Sequence, residues 1–264
     1  MRDQSPQTDA RHLLRRWVVD YFNRHDAAAC ADFIAPDYAL RIGDTVFAGR
    51  DTEWLPAVDQ QMQAFPGLAM TVHHVVSGDG WAAAYFSEHG ASKGRAACWS
   101  GIGIYFSDGA VLTFCVAQED YMTRARQLKA GKSDPVEAPA VAPWDDTAAP
   151  ANPEAERIVR AWLCTGWPLD TDAIRVDDEH ITGNPLKFTT QEVEIDCLLS
   201  SGDEIVFHAV QTGQYESGLP KVETPAPAHL HVNGILKVQD GKVVSGRVIR
   251  DRMALRAVLQ EASS

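Results

Sequence analysis

Apolar positions first recur at helical spacing. Leu13, Leu14, Trp17, Val18, Tyr21 and Phe22 fall on one face of a helix. Trp54, Leu55, Val58, Met62 and Phe65 repeat the pattern, and Pro66-Gly67 ends it. The period then drops to two. Residues 69–77, 81–89, 96–107 and 110–118 read as strands, separated by Gly-Asp-Gly, Gly-Ala-Ser-Lys-Gly and Ser-Asp-Gly turns. A short helix from Tyr121 to Leu128 closes the series. The order is two helical segments, then a four-stranded meander.

The order then recurs. Asn152-Pro153 can cap a helix carrying Ile158, Val159, Trp162 and Leu163, with Pro168 as its stop. Strands are expected at about 191–200, 204–215, 229–239 and 242–250, and a helix from Met253 to Leu259. Two turns anchor a repeat. Gly78-Asp79 matches Gly202-Asp203, and Asp108-Gly109 matches Asp240-Gly241. Between the copies, residues 132–153 hold five of the chain's 14 prolines and little periodicity. This reads as a stiff linker, pinned to one domain by Trp144. The expected domains are 1–131 and 154–264, joined by 132–153.

Composition fits that division. A chain of 264 residues suits two domains of about 120. The 45% hydrophobic content suffices for real cores. Net charge is −12 and no basic cluster exceeds Arg15-Arg16, so nucleic acid is not an expected partner. No apolar run reaches membrane-spanning length and the N-terminus lacks a signal-peptide core, so membranes are not expected and the cytoplasm is the default location. Cys30, Cys98, Cys115, Cys164 and Cys197 show no CxxC spacing and read mostly as small buried apolar residues. There is no Gly-rich phosphate loop and no nucleophile elbow.

The stretches AAACADFIAPDYALRIGDTVFAGRD, FPGLAMTVHHVVSGDGWAAAYFSEHG and IGIYFSDGAVLTF resemble the SnoaL-like polyketide cyclases of the NTF2-like superfamily. VEIDCLLSSGDEIVFHAVQTGQY and VNGILKVQDGKVVSGRVIRDRMALRAVL repeat the resemblance. It implies an α+β fold: two NTF2-like cone-shaped barrels in tandem, each a curved mixed sheet packed on helices. Members of the superfamily include ring-closing cyclases, ketosteroid isomerases, scytalone-type dehydratases and epoxide hydrolases. Others only bind or assemble, so fold alone does not fix function.

Such chemistry needs a base beside an acidic C–H or O–H, and donors facing a developing oxyanion. In the second copy, alternation puts His229, His231 and Asn233 on one strand face, and the expected register turns them to a cavity. The resemblance puts Asn233 where ketosteroid isomerases hold an oxyanion donor, and His229 near a dehydratase histidine. The matched face of the first copy is Ala97, Trp99 and Gly101, an apolar wall. Asp251 resembles the acid–base carboxylate that ends the last strand of SnoaL-type cyclases. It equally suits a helix cap, and its first-copy counterpart is Glu119 or Asp120.

In the first copy, His74 resembles a dehydratase histidine, while Asp20-Tyr21 reverses a dehydratase Tyr-Asp pair. Glu88 and His89 read as solvated. Tyr21, Trp54, Trp99, His208 and Tyr215 are expected to contact substrate, although His208 also suits a hydrogen-bonded core position. No further ligand completes the His-x-His pair, so neither metal nor organic cofactor is expected. The expected activity is that of a lyase or isomerase on a small hydrophobic or aromatic molecule. The alternative is a non-catalytic binding or assembly module, with the copies paired as an internal pseudo-dimer or the chain as a homo-oligomer.

Overall fold

A computed structural model describes residues 9–145, 147–165, 173–222 and 225–262. The chain divides into two compact units. One comprises Met1–Cys98, Gly103–Ala117 and Gln127–Ala149; the other comprises Trp99–Ile102, Gln118–Arg126 and Pro150–Ser264.

In the first unit, Asp9 caps helix α1 (Ala10–Arg16) by accepting from the Arg11 N–H at 2.9 Å. The helix continues as a π-helical stretch, Trp17–Phe22, and its apolar stripe is buried as the spacing requires. A second π-helical turn, Arg50–Trp54, leads into α2 (Leu55–Ala64). Aromatic rings fill the space between helices and sheet. Trp17 stacks on Phe22 at 5.2 Å, and Tyr21 and Tyr38 both pack on Trp54.

The first sheet runs β2 (Thr45–Ala48), β1 (Ile34–Ile42), β6 (Leu112–Glu119), β5 (Arg95–Ser107), β4 (Trp81–Ser92), β3 (Ala69–Gly78). The expected meander is present. Strands β1 and β2 lie outside the elements expected from the sequence; Pro36 and Asp37 disfavour a strand at β1. The break in register between Ile34 and Ala39 accommodates them, and β1 then pairs in parallel with β6. Helix α3 (Tyr121–Ala130) follows. Residues 133–138 lie along the first unit. The Tyr85 hydroxyl donates to Glu137 at 2.8 Å, and a His73 ring nitrogen sits 3.1 Å from the Ala138 carbonyl oxygen. Half-buried Trp144 lines a recess of about 480 Å3 with Val18, Met70 and Val72.

The second unit's sheet runs β7 (Ile174–Val176), β11 (Lys242–Arg250), β10 (Ala226–Gln239), β9 (Glu204–Ser217), β8 (Lys187–Ser201). In both sheets an early strand pairs in parallel with the last strand, and the rest is an antiparallel meander. The architecture is therefore α+β, with two mixed sheets that share a strand order except for β2, the extra edge strand of the first. Asn152 caps α4 (Pro153–Cys164) by accepting from the Ala155 N–H at 3.1 Å; the expected stop at Pro168 lies outside the described residues. The α4 residues Val159, Trp162 and Leu163 pack in one core with Phe207, Leu230, Val232, Leu236 and Val248. Leu255 and Leu259 of α6 (Arg252–Ala262) join them. Gly234 stands directly opposite Phe207, and a Cβ there would collide with the Phe207 ring. A short helix α5 (Glu179–Thr182) follows β7.

All five cysteines are free thiols; Cys30, Cys98 and Cys115 are buried, whereas Cys164 is exposed. Glu88 departs from the solvated position expected of it: it is buried and accepts from the Gln61 side chain at 2.8 Å. His89 is half-buried, with a ring nitrogen 2.9 Å from the Thr71 hydroxyl. Among the described residues no helix is long and apolar enough to cross a membrane.

Candidate functional site

The second unit's strand pairing sets the site. Asn233 stands opposite His208, His231 opposite Val210, and His208 opposite Cys197. His229, His231, Asn233 and His208 therefore share one face. The helix-covered core takes the other face, through Leu230, Val232, Phe207 and Ala209. The parity expected from sequence holds, but the polar face is turned away from the α4 core rather than into it. Sequence alternation fixes which residues share a face, not which face the helices cover.

On that face His231 Nδ1 lies 3.3 Å from His208 Nε2, and their rings are 5.4 Å apart. Both imidazoles are buried. His229 is exposed, its ring edge-on to His231 at 5.8 Å. The row gains a member that periodicity does not announce. The β8–β9 register slips between Ile195 and Cys197, leaving Asp196 as the extra residue of a bulge. Its Oδ2 lies 3.8 Å from His208 Nδ1.

Asn233 is fully buried, and its Nδ2 donates to the Ile102 carbonyl at 2.9 Å. One of its two amide hydrogens is thus committed to backbone. Asp251 touches the row through its main chain, its N–H donating to the His231 carbonyl at 2.9 Å. Its carboxylate accepts from the Ala254 N–H at 3.0 Å, a cap on α6.

The other expected residues lie elsewhere. In the first unit Tyr21 and Trp54 are buried against each other, and half-buried His74 stands opposite Tyr85. The Tyr21 hydroxyl is buried without a hydrogen-bond partner among the described residues, and burial raises its pKa. Trp99 is buried with its indole N–H donating to Glu119 at 2.9 Å; the Arg124 guanidinium covers its ring. Burial pushes the Glu119 carboxyl up, against the indole N–H, Arg124 and Tyr121. Tyr215 pins a loop: its hydroxyl donates to the Val222 carbonyl and accepts from the Leu219 N–H.

A buried charge network was not read from the sequence. Arg252 contacts Asp120 at 2.6 Å, Asp178 at 2.8 Å and Asp177 at 3.2 Å. Arg250 binds Asp177 at 2.7 Å and also Glu179, while Arg126 binds Asp178 at 3.0 Å. Burial pushes Asp120 up to about 6, against the attraction of Arg252 and with help from Asp177 and Asp178. Its sequence signals are the runs Asp177-Asp178-Glu179 and Arg250-Asp251-Arg252.

Residues 14–112 match the family model of the SnoaL-like domain. No curated protein matches the chain. Among solved structures, a candidate polyketide cyclase of Acidithiobacillus ferrooxidans is 19% identical, with a TM-score of 0.42; the alignment covers 50% of this chain and 99% of that one. IdmH of Streptomyces antibioticus, also a candidate polyketide cyclase, is 18% identical over 45% of this chain and 97% of its own, at 0.42. An LEH-like epoxide hydrolase of M. tuberculosis is 13% identical over 48% and 91%, at 0.41.

Proposed function

We propose that the chain is a cofactor-independent lyase or isomerase, built from two tandem SnoaL-like copies with residues 132–153 as linker. It acts in the cytoplasm on a small aromatic, polyketide-like or terpenoid compound bearing hydroxyl or carbonyl groups. The observation that carries this reading is the buried His208–His231 pair, with His229 beside it. An imidazole can take a proton from an acidic C–H or O–H and return it to the product at neutral pH. That exchange serves dehydration, ring closure and retro-aldol cleavage alike, with Asp251 as the acid or orienter. The ligand is found by mass spectrometry of material co-purified with the chain, and turnover is then measured on it and its congeners. His231→Ala lowers kcat by about 10²–10⁴. His74→Ala in the first unit leaves kcat within a few-fold. The opposite ranking overturns the assignment.

A specific observation favours a second reading. The polar row lies away from the helix-covered core, and Asn233 is tied to a backbone carbonyl. Both suit a non-catalytic binding or assembly module. A co-purified ligand that is held but never converted decides for it.

A further inference from the structure

Asp196 is placed by a defect in strand pairing. Its neighbours Ile195 and Cys197 pair with consecutive β9 residues, Ala209 and His208, so Asp196 is the extra residue of a bulge. A bulge re-aims the side chain of the extra residue. Here the carboxylate comes to 3.8 Å from Nδ1 of a fully buried histidine. That histidine's other nitrogen, Nε2, faces Nδ1 of His231 at 3.3 Å. Carboxylate and two imidazoles thus form a row from an exposed acid to a buried base.

The chemistry of the row has a direction. A neutral imidazole carries one N–H and one lone pair. The carboxylate attracts the N–H of His208 and repels its lone pair, so the proton belongs on His208 Nδ1. The lone pair then lies on His208 Nε2, facing His231. Two lone pairs 3.3 Å apart repel, so His231 must present an N–H there, from Nδ1. Its own lone pair consequently resides on Nε2.

We propose that Asp196 is a positioning residue, which sets both histidine tautomers and thereby makes His231 Nε2 the base of the row. This inference rests on the acid–base reading given above. When His231 Nε2 gains a proton, the Nδ1 proton of His231 passes to His208 Nε2. His231 is neutral again, and the positive charge comes to rest on His208 beside the Asp196 carboxylate. Returning the proton to product reverses both transfers. No oxidant or further reactant takes part.

Histidine tautomers are read directly from long-range 1H–15N correlations of the full chain labelled at histidine, at pH 8. No substrate is involved. In the wild type, His208 and His231 both show protonated Nδ1 and unprotonated Nε2. Asp196→Ala shifts the major tautomer of both rings to protonated Nε2, while Asp196→Glu keeps the wild-type pattern. A wild-type His208 protonated at Nε2 overturns the proposal whether or not any variant folds. An Asp196→Ala spectrum unchanged from wild type also overturns it. If the tautomers are as stated but His231→Ala leaves kcat intact, the acid–base reading fails and the positioning by Asp196 stands.

Discussion

Asp120 tests how the buried charge network is balanced. Four carboxylates (Asp120, Asp177, Asp178, Glu179) meet three guanidinium groups (Arg126, Arg250, Arg252) in the second unit. Burial raises the Asp120 carboxyl to about 6 although Arg252 lies 2.6 Å away. In the unfolded chain an aspartate titrates near 3.9. The folded state therefore binds the proton more tightly. Its stabilising contribution is complete below about pH 4 and is lost as pH rises through about 6. The gap of about two pH units, at 1.36 kcal/mol each, amounts to roughly 3 kcal/mol. Asp120→Asn isolates it, because asparagine keeps the cap in which Thr123 N–H donates to Asp120 at 3.1 Å. Asp178, whose carboxyl is held low by Arg252 and Arg126 against its burial, works in the opposite direction and cancels to first order in the comparison. Urea unfolding of both proteins, at steps from pH 4 to 7.5, gives the difference in stability. Wild type minus Asp120→Asn should fall by about 3 kcal/mol across the window. A flat difference, or one that rises with pH as attraction to Arg252 alone would require, refutes the reasoning.

Tyr21→Phe should raise the first unit's stability by about 1 kcal/mol, because it removes a buried hydroxyl without a partner among the described residues. A loss of that size in thermal or urea unfolding would show that the hydroxyl is bonded. Gly234→Ala should cost the second unit about 1–3 kcal/mol by driving a methyl into the Phe207 ring. In a Phe207→Ala background the cost of Gly234→Ala should shrink, and a Gly234→Ala protein as stable as wild type would show that the ring does not lie there.

What was legible in the sequence follows from physics of short range. Period-two runs and their Gly-Asp and Asp-Gly turns located the meander strands to within a few residues, because hairpin chemistry is local. Strand β1 was hidden by Pro36 and Asp37, which are tolerated only because pairing to β6 lapses between Ile34 and Ala39. Strand β7 has three residues, too few for a period. Glu88 was misread because a strand-end carboxylate is usually solvated, and its partner Gln61 sits 27 residues away on a helix. The charge network joins residues 120–126, 177–179 and 250–252, which no window spans. Asp196 was invisible for a different reason: a bulge moves a side chain off the alternation from which faces are read.

The polar row is also where packing energy is forgone. Its face accommodates apolar residues, since Ile235 lies two residues along from Asn233 and Ile249 directly opposite it, both buried. Apolar side chains at 208 and 231 would serve such a face at least as well. Buried imidazoles must first recover the hydration they lose, at about 1–3 kcal/mol for each group left unbonded. The His208–His231 contact offsets part of that cost, and the Asp196 carboxylate offsets more by fixing which nitrogen carries the proton. Groups that only fill space need no such ordering, whereas groups that exchange a proton do. On this ground we propose that the positioning of two imidazoles by Asp196 serves acid–base chemistry rather than sheet stability.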